Sequence, residues 1–251
     1  MFRKRERFAR SDVPRTSMQG TIMAVVALVF VIVGIICGIL WAQKMARRDA
    51  NLEDGSLSSG VSAQASLADP AEGYVVSEDE FVNVLIFTVD DPTASAQALK
   101  GAQLLSINKA KGTGVLVNLP LDAEVTVDDA PTSLTSLFSS KGAGACVAPL
   151  SQAANVPVSH VVVATDKFWD QLDGLRAGGM KAVLSGSSEL LMSIKTDMSA
   201  SEALDLAQLL GSVGTQNLQA VDAPTADGGT AGTKLDGTGL GVAVGRLVAN
   251  A

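Results

Sequence analysis

The stretch that decides the fold is VNVLIFTVDD, residues Val82–Asp91. Its first eight residues, Val82–Val89, are mainly β-branched or apolar, a pattern typical of a strand buried on both faces of a sheet. Asp90 and Asp91 end the strand ahead of Pro92, because aspartate favours a turn and proline has no amide N–H to donate to a sheet. We therefore predict a central, fully buried strand over 82–89.

Strand and helix patterns alternate downstream of this strand. The predicted strands are 102–109, 114–120 and 160–165, with shorter ones at 181–184 and 189–195. The predicted helices are 93–100, 131–142, 145–156, 167–175 and 198–211. The last helix carries the pattern of a capping box, Ser199 followed three residues later by Glu202. Such alternation predicts an α/β domain over about 80–211.

An unbroken apolar run, Ile22–Trp41, precedes the domain. A helix of that length spans roughly 30 Å, the thickness of a bilayer core, so we predict a transmembrane helix over 21–43. Six Lys and Arg residues precede the run and three follow it, which favours a cytoplasmic basic head at 1–20. A cleaved signal peptide is the alternative, but its apolar core is shorter and ends at a small-x-small site. The sequence therefore predicts a single-pass cell-membrane protein with its C-terminal domain outside the cell.

Two weakly patterned segments flank the predicted domain. Residues 44–79 are rich in Ser, Ala, Gly, Asp and Glu, and we interpret them as a linker between membrane and domain. Residues 212–251 form a Gly-rich tail, in which GVAVGRLV (241–248) is either a last strand or a frayed end.

Composition excludes several functions. From residue 49 onward 10 basic residues face 24 acidic ones, and only 4% of the chain is aromatic, which argues against a nucleic-acid partner. Cys37 lies in the apolar run, so Cys146 has no partner for a disulfide in the body and is predicted to be a small buried residue. The single histidine, His160, cannot build a metal site alone and is predicted to open a buried strand.

Taken in chain order, these stretches resemble the LytR–CpsA–Psr (LCP) family of cell-envelope proteins. VNVLIFTVDD is similar to the family's opening strand, and AQLLSINKAKGTGVLVNLPLD (102–122) to the strand pair that leads into a Pro-Arg-Asp motif. Residues 133–180 and MSASEALDLAQ (198–208) resemble the later strand and helices. The resemblance implies an α/β fold: a single extracytoplasmic LCP-like domain, with a central mixed sheet flanked by helices, on one N-terminal transmembrane helix.

Members of this family transfer a glycopolymer from a polyprenyl-pyrophosphate carrier to peptidoglycan. Acidic residues hold a divalent metal and activate the acceptor hydroxyl, while arginines bind the pyrophosphate through paired hydrogen bonds. By resemblance, Asp90, Asp91 and Asp122 are the candidate catalytic residues, and Asp90 and Asp122 the candidate Mg²⁺ ligands. The implied partners are the membrane, a polyprenyl-phosphate lipid or a cell-wall glycopolymer, and a catalytic LCP relative. From the residues alone, each acid is better explained as a turn residue than as a metal ligand or base.

The sequence departs from the family where the arginines belong. The Pro-Arg-Asp motif is Pro-Leu-Asp at 120–122, the Arg-Ser-Asp run is Gly-Ala-Gln at 101–103, and the late-helix arginine falls at 207–208, Ala-Gln. Beyond residue 49 only Arg176 and Arg246 remain, neither at a family arginine position. Lysine supplies charge but not the planar guanidinium.

Three functional hypotheses follow. The first is a membrane-anchored envelope protein with a degenerate catalytic site, which binds a lipid-linked or wall component or a catalytic relative. The second is a divergent, active Mg²⁺-dependent ligase using Asp90 or Asp91 together with Asp122. The third is a non-enzymatic membrane scaffold. A transcriptional role is not supported, because a head of about 20 residues is too short to fold as a DNA-binding domain.

Overall fold

The structure is a computed structural model that describes residues 52–91, 97–165, 194–213 and 217–250. Its helices are α1 (Gly55–Ser62), α2 (Leu134–Ala154), α3 (Ala200–Val213) and α4 (Gly237–Ala243). The first six strands are β1 (Tyr74–Val76), β2 (Phe81–Val89), β3 (Leu99–Asn108), β4 (Thr113–Leu119), β5 (Glu124–Val127) and β6 (Ala130–Ser133). The others are β7 (His160–Thr165), β8 (Ile194–Thr196), β9 (Leu218–Asp222), β10 (Thr225–Ala226), β11 (Lys234–Leu235) and β12 (Leu247–Ala249).

A six-stranded sheet in the order β8-β7-β2-β3-β4-β9 forms the centre of the domain. Strands β2, β4, β7 and β9 run parallel to one another, while β3 and β8 run antiparallel to them, so the sheet is mixed as expected. Residues 83–87 of β2 are all buried, which confirms the prediction of a strand covered on both faces. The predicted strand 160–165 coincides with β7.

The two faces of the sheet are covered differently. Phe87 of β2 packs against Phe138 of α2 in an edge-to-face contact with ring centroids 5.3 Å apart, and we call this side the α2 face. Because side chains alternate along a strand, Ile86 points to the other side, the opposite face. There, a Cβ at Gly114 of β4 would lie 3.8 Å from the side chain of Val213, so the end of α3 covers this face.

Helix α2 differs in two ways from the predicted helices 131–142 and 145–156. Residues 130–133 are strand β6, so the helix begins at Leu134 with Ser133 as its N-cap. Gly142 has φ 80° and ψ 177°, a conformation open essentially only to glycine, and it breaks α2 into two halves. The two predicted helices thus correspond to the halves of one kinked helix.

The capping box predicted for the helix at 198–211 is present. The Ser199 N–H donates to Glu202 Oε2 at 2.8 Å, and the Glu202 N–H donates back to Ser199 Oγ at 3.3 Å. Helix α3 runs two residues further than predicted, to Val213. By contrast, the predicted helix at 93–100 is wrong at its end, since Leu99 and Lys100 begin β3. Its first part lies outside the described residues.

The segment interpreted as a linker, 44–79, is structured in part. Residues 55–62 form α1, whose N-cap Asp54 accepts hydrogen bonds from the N–H groups of Ser56 and Leu57. Leu57 is buried in the α2-face core, and β1 pairs with β12 at the other end of the chain. The interpretation as linker is therefore wrong for 55–62 and 74–76, because these residues form a helix and a strand through contacts with distant parts of the chain.

The Gly-rich tail is also built into the domain. Strand β9 joins the central sheet beside β4, and β12 is the last strand that the sequence left open for 241–248. The Arg246 guanidinium fixes this end of the chain, since its Nη1 donates to the Asn155 carbonyl at 3.0 Å. Residues 218–250 therefore belong to the folded domain.

No helix within the described ranges is long and apolar enough to cross a membrane. The basic head at 1–20 and the predicted transmembrane helix at 21–43 lie outside those ranges. So do the predicted helix at 167–175, the strand at 181–184 and Arg176.

Candidate functional site

The carboxyl ends of the four parallel strands meet at one edge of the sheet, where ligands of α/β proteins commonly bind. Asp90 directly follows β2, Asp122 comes three residues after the end of β4, and Asp222 ends β9. The antiparallel strand β3 begins at this edge with Leu99, and Lys100 follows. The strand ends thus bring the sequence-predicted acids to a common edge.

Asp90 has a structural role at this edge. Its Oδ1 accepts hydrogen bonds from the N–H groups of Asp91, at 2.9 Å, and Ala98, at 3.1 Å. These bonds, that from Ala98 above all, hold the pKa of the Asp90 carboxyl below its usual range. The carboxylate therefore joins the two ends of the connection between β2 and β3. Its neighbour Asp91 is exposed.

Asp122 is tied to the C-terminal part of the chain. Its Oδ2 accepts the Thr233 hydroxyl at 2.9 Å, and its carbonyl oxygen accepts the Thr233 N–H at 2.9 Å. A Cβ at Gly232 would collide with the same carbonyl, so only glycine allows this approach. Asp122 therefore holds the segment around residue 233 against the start of β5.

The family resemblance implies a bound Mg²⁺, which the carboxylates of Asp90 and Asp122 would have to coordinate. Magnesium requires oxygen ligands in near-octahedral geometry, usually including carboxylates. Asp90 Oδ1 and Asp122 Oδ2 already accept protein hydrogen bonds. No group of three or more His, Cys, Asp or Glu side chains able to hold a metal occurs in the described parts of the chain. The assignment of Asp90 and Asp122 as Mg²⁺ ligands therefore stays a prediction from the resemblance.

Sequence reasoning missed a row of polar side chains that crosses three strands beside this edge. Gln103 of β3 donates from Nε2 to Asn118 Oδ1 at 2.9 Å, and Asn118 of β4 donates from Nδ2 to Asp222 Oδ1 at 3.1 Å. The three residues lie side by side in the strand register, on the opposite face of the sheet. We call them the polar row. Gln103 and Asn118 are half-buried and Asp222 is exposed.

A signal for the polar row was present in the sequence. Along β3 and β4, the positions that share this face are otherwise apolar or small, so Gln103 and Asn118 interrupt the alternation. Gln103 and Asn118 bond to each other through neutral amides, and Asn118 also bonds to the charged carboxylate of Asp222. Amide and carboxylate groups of this kind can hydrogen-bond to the hydroxyl groups of a ligand. Arg246, the single arginine among the described residues, bonds to Asn155 at the far end of α2 and does not reach this edge.

His160 and Cys146 have the structural roles expected from the sequence. His160 opens β7, and its Nδ1 lies 3.1 Å from Asp197 Oδ2, whose other oxygen accepts the Val161 N–H. Cys146 is buried in the α2-face core, and this burial raises the pKa of its thiol to about 12. Neither side chain forms part of the edge described above.

No protein-family model and no curated protein matches the chain. Several solved structures align with about two thirds of the chain. A crystal structure of TagV from B. subtilis aligns at 12% identity, covering 67% of this chain and 96% of that one, with a TM-score of 0.48. The transcriptional regulator yvhJ from Bacillus subtilis gives 12% identity, 67% and 95% coverage and a TM-score of 0.49. A structure of TagT bound to LI-WTA gives 15% identity, 70% and 96% coverage and a TM-score of 0.47.

All three alignments have TM-scores below 0.5 and at most 15% identity. At this level the similarity concerns the course of the chain. It does not indicate which side chains act.

Proposed function

We propose that this protein is a membrane-anchored, extracytoplasmic LCP-like envelope protein that binds a cell-wall glycan without transferring it. The transmembrane helix at 21–43 and the outward-facing domain are part of the proposal. The observation that carries it is the polar row, Gln103–Asn118–Asp222, which lines the sheet edge where the resemblance would place charged catalytic groups.

The chemistry of the polar row favours a hydroxyl-rich ligand over a diphosphate. A diphosphate carries several negative charges and is normally held by guanidinium groups or a metal. The row instead contains two amides and a carboxylate, and the Asp222 carboxylate would repel an anion. Sugar hydroxyls both donate and accept hydrogen bonds, so they match this set of groups. These contacts support a binding role without transfer.

The structural roles of the acids also support this proposal. Asp90 joins the ends of the β2–β3 connection, and Asp122 holds Thr233, so both are explained without catalysis. The alternative of an active Mg²⁺-dependent ligase requires the same carboxylates to be available to a metal and an acceptor. No contact of the described residues favours that alternative over the binding role.

The test measures binding and transfer separately with the full chain in detergent micelles. Insoluble peptidoglycan carrying wall polymer is sedimented with wild-type protein, Gln103→Ala and the matched control Gln219→Ala. Gln219 lies on β9 with its side chain on the α2 face, so the control makes the same chemical change on the other side of the sheet. We expect Gln103→Ala to weaken binding of the protein to the sedimented peptidoglycan by about tenfold. This factor corresponds to the loss of one hydrogen-bond partner for the ligand.

Transfer is assayed with a polyprenyl-pyrophosphate-linked glycopolymer, peptidoglycan and Mg²⁺. The proposal expects no covalent product. A product that disappears in Asp122→Ala would overturn it in favour of the ligase. Absence of retention on peptidoglycan by the wild-type chain would overturn it in favour of the scaffold.

A further inference from the structure

The two ends of the polar row differ in charge. Gln103, at one end, is a neutral amide on β3, and Asp222, at the other end, is a carboxylate on β9, with Asn118 of β4 between them. Neighbouring strands lie about 4.8 Å apart, so the two ends are separated by roughly 10 Å. A ligand that lies along the row therefore meets a neutral amide at one end and a negative charge at the other.

Each end of the row keeps an oxygen atom that accepts no hydrogen bond from the described part of the chain. Gln103 donates from Nε2 to Asn118, which leaves its Oε1 available. Asp222 accepts from Asn118 at Oδ1, which leaves its Oδ2 available. Asp222 is exposed and Gln103 half-buried, so both side chains are open to solvent. Two available acceptors favour a ligand that carries hydrogen-bond donors at both ends.

The charge of Asp222 is not balanced by a cation of the protein. Within the described ranges, no lysine or arginine nitrogen lies within 4.0 Å of its carboxylate. Lys100, at the same edge, belongs to β3, two strands or roughly 10 Å away, which exceeds the Debye length of about 8 Å at physiological ionic strength. Asp122 adds a second negative charge only four residues beyond Asn118. A positive charge on the ligand would therefore be attracted to this end of the row.

We propose that the polar row selects amino sugars whose amino group is not acetylated and so carries a positive charge. The ammonium group donates to the Asp222 carboxylate and balances its charge, while hydroxyl groups of the same sugar chain donate to the Gln103 amide. The amine of a peptide side chain would supply the charge without the hydroxyl groups, and an anionic group would be repelled. The inference rests on the proposed glycan binding and names the chemical class of glycan that the row takes.

The experiment compares two probes that differ only in acetylation. A linear trisaccharide of glucosamine and its N-acetylated counterpart are titrated into the full chain in phosphatidylcholine nanodiscs, with calorimetric detection, at a weakly acidic pH at which the sugar amines are protonated. Phosphatidylcholine carries neither net charge nor sugar, so the bilayer does not compete for either probe or site. We expect the glucosamine trisaccharide to bind about fivefold more tightly, the upper end of what an exposed ion pair contributes.

The variant Asp222→Asn separates the charge from the hydrogen bond. Asparagine keeps an Oδ1 that can accept from Asn118 but carries no charge, so the preference for the glucosamine probe should disappear. Gln103→Ala should weaken both probes alike, because it removes a neutral contact. The matched control is Asp205→Asn, which removes the same charge from an exposed position on α3 and should keep the preference.

A salt titration of the wild-type chain gives a second measurement that needs no variant. The preference should shrink as ionic strength rises, since screening weakens an exposed ion pair. Equal binding of the two probes to the wild-type chain would overturn the inference, and so would a preference that survives Asp222→Asn or that salt leaves unchanged. Binding of neither probe would overturn it as well, and retention on sedimented peptidoglycan then shows whether glycan binding itself still stands.

Discussion

The crossing of helices α1 and α2 offers a sharp test of how the N-terminal segment joins the domain. Gly60 of α1 and Gly144 of α2 face each other at backbone contact distance. A Cβ at position 60 would lie 2.9 Å from the carbonyl carbon of Gly144 and closer still to its oxygen. A Cβ at position 144 would lie 2.9 Å from the carbonyl carbon of Ser56. Because the obstacle is backbone, no rotamer change relieves it, and Gly60→Ala must push the helices apart.

The expected change in the free energy of unfolding for Gly60→Ala is the balance of two opposing effects. Overpacking costs about 1–3 kcal/mol, and a rigid backbone collision belongs at the upper end of that range. Alanine gains roughly 0.5–1 kcal/mol over glycine in a helix, which offsets part of the cost. We expect Gly60→Ala to lower the free energy of unfolding by about 2 kcal/mol, a decrease in melting temperature of roughly 4–8 °C for a domain of this size. Leu57, 2% exposed, should lose core contacts at the same time.

The assay is thermal unfolding of the full chain in detergent, with Gly55→Ala as the matched control. Gly55 is in the same helix, and a Cβ there meets nothing within 4 Å. The control should therefore unfold at the wild-type temperature or slightly above it. If Gly60→Ala is as stable as Gly55→Ala, the close crossing of α1 on α2 is refuted, and with it the inclusion of residues 55–62 in the domain.

Three further predictions concern single contacts. Backbone hydrogen bonds from Ala231 and Thr230 lower the pKa of the Glu124 carboxyl, so this anchor is fully present above about pH 4.5 and is lost as pH falls through the lowered value. The protection of the amides around residue 230, taken as their hydrogen-exchange rate relative to the unfolded chain at the same pH, should fall only there. Ser199→Ala removes the N-cap of α3 and should lower the free energy of unfolding by about 1 kcal/mol, measured by urea denaturation; no change would contradict the capping role. Cys146, buried and with a raised pKa, should resist iodoacetamide at pH 8 until the domain unfolds, as peptide mapping would reveal.

How far the sequence predicts this fold depends on how local each element's signal is. Strands β2 and β7 could be predicted to within a residue, because their apolar runs are continuous and turn residues follow β2. Helix α1 could not, since its burial relies on glycine at 60 and 144, residues that add no hydrophobic signal. Strand β1 could not be predicted for a similar reason, since its partner β12 lies at the other end of the chain.

The same distinction applies to the candidate site. That the parallel strands end together could be predicted from the order of elements, so the edge itself was expected. Which side chains meet there depends on register. Gln103 and Asn118 are 15 residues apart, and Asn118 and Asp222 are 104 apart, so their contacts exist only once β4 has paired with both neighbours. No periodicity in a single segment contains that information.

The acids that stand where the resemblance puts catalytic residues are poor evidence of catalysis in this chain. Replacing Asp90 would remove an acceptor shared by two backbone N–H groups, and replacing Asp122 would release Thr233. Each side chain therefore contributes to the fold whether or not chemistry takes place. Among the residues that the structure describes, this edge carries acids with structural contacts, and the one described arginine, Arg246, bonds elsewhere.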